Sequence, residues 1–350
     1  MMAFCKALGS LLVVALAVFF GVLIYLDRTP PGVRLDTNAP NQLTSQLSDE
    51  QLAAFNRDGV LVVRNLLDQA HVDNINSAIE TAYRTTTVMD IVQAVKGGNA
   101  SYYKEIQFDV WRVDATVANL ALQSLPSFVA PMVTQEDSKI RLLRDAYFHY
   151  EKGGRGCGWH VDDMGFWPTE PNTAGVTVWI ALDDMPDGAG GLVIANQTAL
   201  TLEQLEECRA AIQGNTCAME QLHPDCHALL DRNQLKYGSL KAGDAIIWNR
   251  WVFHRTQTQI EPNTKGKRRY SVRYIPGNAR GKGALHNSVK QGGSFEGSPY
   301  YPQVYPSLIS EETEALAAGL ASDMAPWNVA KVLSQVLVDY GKQKLFGKFN

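Results

Sequence analysis

The sequence is short of charge and has no surplus of the sign that would attract a polyanion. Only 19% of its 350 residues are charged, and 32 Lys and Arg stand against 36 Asp and Glu, a net charge of −4. That balance offers no electrostatic case for nucleic acid. Cysteine is also scarce: there are five, and no two of them form a CxxC pair, which argues against zinc-ribbon chemistry. No internal repeat is visible. What the chain does have is apolar material, 45% of its residues, enough for a substantial core and against disorder.

Ala7 to Leu26 is a run of twenty residues without a charge. As a helix it would cover about 30 Å, the hydrocarbon thickness of a bilayer. The run predicts a retained single-pass membrane anchor over residues 1–26, a cleaved signal peptide being the competing reading. Lys6 on one side and Arg28 and Arg34 on the other leave its orientation open. Residues 27–46 carry three prolines and few large apolar groups, and read as an extended linker. The main domain is expected over 47–305, with C-terminal helices over 306–350.

Within the domain, Ser48 and Gln51 form a capping-box pattern for a helix over Asp49–Arg57, ended by Asp58-Gly59 before a strand Val60–Val63. A second amphipathic helix is expected over Gln69–Tyr83. From Lys139 onward the pattern turns to short strand-like runs: Arg141–Glu151, Val176–Leu182, Gly191–Ile194, Asp244–Trp248, Val252–Thr256 and Arg269–Ile275. Strands at this spacing, broken by Gly, Pro, Asn and Asp, predict a sandwich or barrel. Residues 199–237 interrupt them as a helical insertion, a candidate lid, that holds Cys208, Cys217 and Cys226. One disulfide among these three or buried free thiols are both open.

The chemistry centres on Gly158-Trp159-His160-Val161-Asp162-Asp163. His160 and Asp162 are two apart, so on extended backbone both side chains leave one face, which Asp163 does not share. His254, on a distant strand, supplies a second imidazole. Two imidazoles and a carboxylate with open positions are the donor set of non-heme Fe(II) oxygenases. His149 is expected to be a packed strand residue. On the strand around Arg269, the side chains of Arg269, Ser271 and Arg273 share one face, and Arg268, Tyr270 and Val272 the other.

These stretches, taken in order, resemble the phytanoyl-CoA dioxygenase family of Fe(II)/2-oxoglutarate oxygenases. Leu47 to Gln51 with Phe55 to Val63 resembles the family's opening helix and strand. Gly158 to Asp162 resembles its metal motif. Val176 to Asp183 with Gly190 to Leu192, and Gly243-Asp244 with His254, resemble its later strands. The family's Pro-Gly-Ser-His-like turn is replaced by Ala195-Asn196-Gln197-Thr198, and Arg269 follows His254 by fifteen residues instead of eleven or twelve.

The resemblance implies a double-stranded β-helix (jelly roll) flanked by helices. It implies a hydroxylase that uses Fe(II), 2-oxoglutarate and O₂ and releases succinate and CO₂. His160, Asp162 and His254 would be the metal ligands and the catalytic centre. Arg269 with Ser271 would take the far carboxylate of 2-oxoglutarate, Arg273 being the alternative, with Thr177 and Trp179 beside it. Trp167, Arg155, Tyr103 and Trp251 are candidates for contact with a small organic or lipid-like substrate. Two other readings stay open at this point: a cupin-like metal enzyme with another cosubstrate, and an anchored binding module without catalysis.

Overall fold

The computed structural model describes residues 33–83, 106–112, 114–133, 139–150, 158–162, 167–171, 173–187, 191–211, 223–256, 267–282 and 289–318, with four isolated positions between 16 and 21. Apart from those four positions, the expected anchor lies outside the described residues, as do the C-terminal helix expected beyond residue 318, Asp163 and three of the five cysteines.

Helix α1 (Asp49–Asp58) begins as expected: Ser48 Oγ accepts from the Gln51 amide at 3.2 Å, and Gln51 Oε1 accepts from the Ser48 amide at 3.0 Å. It ends where Gly59 turns left-handed at φ 72° and its amide bonds the Phe55 carbonyl. Strand β1 (Val60–Val63) and helix α2 (Gln69–Tyr83) follow. After β2 (Ile106–Phe108), the apolar run Ala115–Val133 forms helix α3, with Asp114 capping its start. Among the described residues α3 is the one helix long and apolar enough to cross a membrane, but 78% of its apolar window is buried inside the domain, so it is a core helix.

The remaining elements are β3 (Ile140–Tyr150), β4 (Val176–Ala181), β5 (Leu192–Ile194), α4 (Leu202–Ala211), α5 (Pro224–Arg232), β6 (Ala245–Asn249), β7 (His254–Thr256), β8 (Lys267–Pro276), β9 (Gln303–Tyr305), β10 (Ser307–Leu308) and α6 (Glu311–Ala318). Strands β2, β9 and β10 were not expected from the sequence. All three are too short to show an alternation of their own.

Two antiparallel layers result. The major sheet runs β1-β6-β4-β8-β3-β9-β10, with β2 also paired to β3; the minor layer is β5-β7. Single bridges widen the minor layer, His160 pairing with His254 on one side and Ala195 with Gln234 on the other. The two layers make the mainly β, jelly-roll-like arrangement with flanking helices.

Register assigns the two faces of the major sheet, because directly paired residues share a face. One face carries Val176, Val178, Ile180, Val272, Tyr270, Tyr274, Leu142 and Ile247, which pack with α2 and α3 in the largest core cluster. The opposite face carries Thr177, Trp179, Ala181, Trp248, Ile246, Arg269, Ser271 and Arg273, and the minor layer covers it with Leu192, Ile194 and Val252.

The segment read as a linker departs from that reading over its described residues, 33–46. Val33 is buried, and its amide bonds the Ala317 carbonyl. Gln42 is buried too, its amide held by Ser124 Oγ at 3.1 Å. From Val33 onward the chain is a strap on the domain, since proline-rich extended backbone can still bury a few apolar groups and bond to loops.

The Gly243-Asp244 pair has a structural reading. Gly243 sits at φ 91° against the Leu67 carbonyl, where a Cβ would collide. The Asp244 carboxylate then accepts from Arg64, Asn65 and Lys241 and fixes the turn before β6.

Candidate metal and cosubstrate site

His160 and His254 meet through backbone pairing. Each amide bonds the other's carbonyl, at 3.0 and 2.9 Å, so the two residues form a hydrogen-bonded antiparallel pair with both imidazoles on one face. Their ring centroids lie 4.3 Å apart. In each ring Nδ1 donates to the carbonyl two residues back, Gly158 at 2.7 Å and Val252 at 3.0 Å. The proton is thereby held on Nδ1, and the Nε2 lone pair is presented to the interior.

Asp162 completes the cluster. Its Oδ1 lies 3.8 Å from His160 Nε2 and 3.5 Å from His254 Nε2, and the three ligand atoms fall within 4.8 Å of one another. Its Oδ2 is gripped from the other side by Arg273, at 2.9 Å from Nη2 and 3.2 Å from Nε. The fork therefore separates the two oxygens: one faces the histidines, the other is engaged.

Protonation follows from this packing. Burial, then the neighbouring His254 and Arg273 charges, push His160 down to about 4, so the ring is neutral and its lone pair available at ordinary pH. Burial alone would raise the Asp162 carboxyl, but Arg273, His254 and His160 together hold it well below the usual carboxylate range. A neutral His160 ring, the Nε2 that His254 presents on the same side and one ionised carboxylate are a donor set that fits a divalent non-heme iron.

Beyond Arg273 the same face continues along β4 and β8. Thr177 pairs with Arg273, Trp179 with Ser271, and Ala181 with Arg269. Arg269 and Arg273 are thus about 13 Å apart at ~3.3 Å per strand residue. Arg269 is 3% exposed, with its guanidinium carbon 5.0 Å from the centre of the Phe148 ring. Thr177 Oγ1 and Trp179 Nε1 are buried with no hydrogen-bond partner among the described residues. Buried polar atoms cost free energy unless something satisfies them, and a ligand rich in carboxylate oxygen would. The residues present therefore fit 2-oxoglutarate as well as the metal. Trp248, whose ring lies 4.8 Å from that of His254, backs the cluster.

The substrate candidates fare differently. Trp167 is 1% exposed and packs on Gly175 and near Arg250, 5.4 Å away, so it is a core residue. Trp251 lies beside the guanidinium groups of Arg209 and Arg250, at 5.7 and 4.8 Å. Arg155 and Tyr103 fall outside the described residues. His149 pairs with Arg268 on β3 and packs edge-on to Tyr147, away from the metal cluster, as a strand residue should.

Sequence reasoning missed two contributors. Arg273 was placed on the correct face, but as an alternative anchor for 2-oxoglutarate and not as the partner of Asp162. Asp231, in the insertion, carried no motif at all, yet it touches residues beside both histidines.

Comparison with known proteins agrees with this geometry. The family model described as phytanoyl-CoA dioxygenase matches residues 55–269. The ectoine dioxygenase of Nocardia farcinica (strain IFM 10152) is 25% identical over 227 residues, 62% of this chain and 74% of that protein. Among solved structures, the fold is similar to that of the non-heme alpha ketoglutarate dependent carbocyclase SnoK from nogalamycin biosynthesis. That match has a TM-score of 0.55 and 17% identity over 76% of this chain and 100% of the other. It is also similar to EctD from S. alaskensis in its apoform, with a TM-score of 0.52 and 15% identity over 82% and 95% of the two chains.

Proposed function

The chain belongs to the phytanoyl-CoA dioxygenase family, and from that premise we propose that it is an Fe(II)- and 2-oxoglutarate-dependent hydroxylase of a small organic or lipid-like substrate. The observation that carries the reading is the convergence of His160 Nε2, His254 Nε2 and Asp162 Oδ1, with both Nδ1 protons tied to backbone carbonyls. When bound, iron and 2-oxoglutarate supply the oxidising chemistry that puts one oxygen atom of O₂ into the substrate and the other into succinate, with loss of CO₂.

The protein's own residues do the rest. His160, His254 and Asp162 would hold the metal, three donors that do not fill its coordination and so would admit a cosubstrate and O₂. Arg273 keeps Asp162 Oδ2 engaged and leaves Oδ1, on the side of the histidines, as the oxygen that would bind a metal. Arg269 and Ser271 take the far carboxylate of 2-oxoglutarate, a fork and a hydroxyl on one strand face. Arg273 is the poorer anchor because its fork is bound to Asp162. Thr177 and Trp179 offer donors along the track between the metal and Arg269. The apolar cover from Leu192, Ile194 and Val252 excludes water from it.

The test is succinate release by iron-loaded protein given 2-oxoglutarate without substrate, alongside 2-oxoglutarate binding. Slow uncoupled succinate formation that disappears in His160→Ala is expected. A folded, iron-loaded protein that neither binds 2-oxoglutarate nor makes succinate would overturn the reading. We also propose that the uncharged run Ala7–Leu26 is a single-pass anchor, on its length and composition. Its deletion should move the protein from the membrane to the soluble fraction of the expressing cell.

A further inference from the structure

We propose that Asp231, in the helical insertion, is a positioning residue that holds the two histidine-bearing segments in register; this rests on reading His160, Asp162 and His254 as the metal site. Asp231 Oδ1 accepts from Trp159 Nε1 at 2.8 Å and from Arg255 Nε at 3.2 Å, and Gln234 Nε2 donates to the same atom at 3.2 Å. Trp159 immediately precedes His160, and Arg255 immediately follows His254. Successive residues on extended backbone point to opposite faces. The two imidazoles therefore face the major sheet while Trp159 and Arg255 emerge on the back of the minor layer. There the Arg255 guanidinium lies 5.3 Å from the centre of the Trp159 ring, and one carboxylate closes the pair.

The helix that presents Asp231 is itself anchored. Cys208 of α4 and Cys226 of α5 form a disulfide, and Leu205, Cys208 and Leu230 pack with Trp159, Val161 and Phe253 in one buried cluster. Asp231 keeps about a third of its side chain exposed, so water screens its ion pair and its contribution to global stability is small. What it controls is angle and spacing. The His160–His254 bridge is a single backbone pair with two hydrogen bonds, and a carboxylate bonded to both flanking residues limits its twist. Among the described residues the insertion thus acts as a brace behind the metal cluster, where the sequence suggested a lid.

The experiment is a Co(II) titration of metal-free full-length protein, following the ligand-field absorption, with the thermal unfolding midpoint measured beside it. Asp231→Ala is expected to weaken Co(II) binding about tenfold and to move the absorption bands, with little change in the metal-free midpoint. Arg255→Gln, a milder change, should shift both readouts the same way, while Asp231→Asn, which keeps an acceptor for Trp159, restores most of the affinity. Wild-type affinity and bands in both Asp231→Ala and Arg255→Gln would overturn the brace; should Asp231→Ala fail to fold, Arg255→Gln and Asp231→Asn decide. If the wild-type protein binds no Co(II), or binds it equally well as His160→Ala, the metal-site reading itself fails and the brace with it.

Discussion

The two faces of the major sheet are built from the same strands and could hardly differ more. Toward the helices, β4 and β8 present Val176, Val178, Ile180, Tyr270, Val272 and Tyr274; toward the minor layer, the residues between them are Thr177, Trp179, Arg269, Ser271 and Arg273. Each face also buries one acid. Asp162, beside Arg273, is held ionised, whereas burial, together with the charge of Asp109, pushes Asp145 up to about 8, with Tyr270 and the Trp111 amide bonded to it. One face spends its area on packing, and the other buries Arg269 and Arg273 together with Thr177 Oγ1 and Trp179 Nε1, two polar atoms with no hydrogen-bond partner among the described residues that a ligand would satisfy.

The largest expected difference between the faces is chemical. His160→Ala and Asp162→Ala should lose metal binding and succinate formation entirely while remaining folded, as read by metal analysis and circular dichroism. Ile180→Ala, on the helix face, should do the reverse. It is expected to cost about 2–5 kcal/mol in denaturant unfolding while the folded fraction still binds metal. If Ile180→Ala removed metal binding from fully folded protein, the division of labour between the faces would be wrong.

Arg269→Ala is expected to raise the apparent 2-oxoglutarate KM by roughly ten- to a hundredfold, the worth of a charge-assisted hydrogen bond, with Co(II) affinity unchanged. Arg273→Met should give the opposite pattern, loosening the metal more than the cosubstrate. An interchange of those two phenotypes would reassign the arginines.

A pH-dependent effect, confined to stability and silent in metal binding, concerns Asp145. Its carboxyl titrates near 8 when folded and near 4 when unfolded, so its protonated form contributes stability that is complete below about pH 4 and lost as the pH rises through about 8. Asp145→Asn cannot ionise and should flatten the pH dependence of unfolding across that window, making the variant relatively more stable at alkaline pH. Parallel stability-against-pH curves for variant and wild type would show that Asp145 is not the buried neutral acid described.

Much of this was legible before any coordinates. The alternation on β8 put Arg269, Ser271 and Arg273 on one side, and the two-residue spacing of His160 and Asp162 put both on one face; period-two patterns survive folding because they are properties of extended backbone. The helix caps at Ser48 and Gly59 were readable for the same local reason. What the alternation left undecided was which arginine does what. Both point inward, and only the approach of the Gly158–Asp162 segment across the sheet gives Arg273 its carboxylate.

The amino-acid sequence by itself determined the donor set, the sheet-forming pattern and the family, since residue type and near-neighbour spacing are one-dimensional quantities. Tertiary structure alone decided that His160 pairs with His254 across 94 positions of chain, that Cys226 and not Cys217 bonds Cys208, and that Asp231 reaches Trp159 and Arg255 from another element. Those are meetings between distant segments. They depend on how the layers cross and how the insertion packs, and no local propensity encodes them.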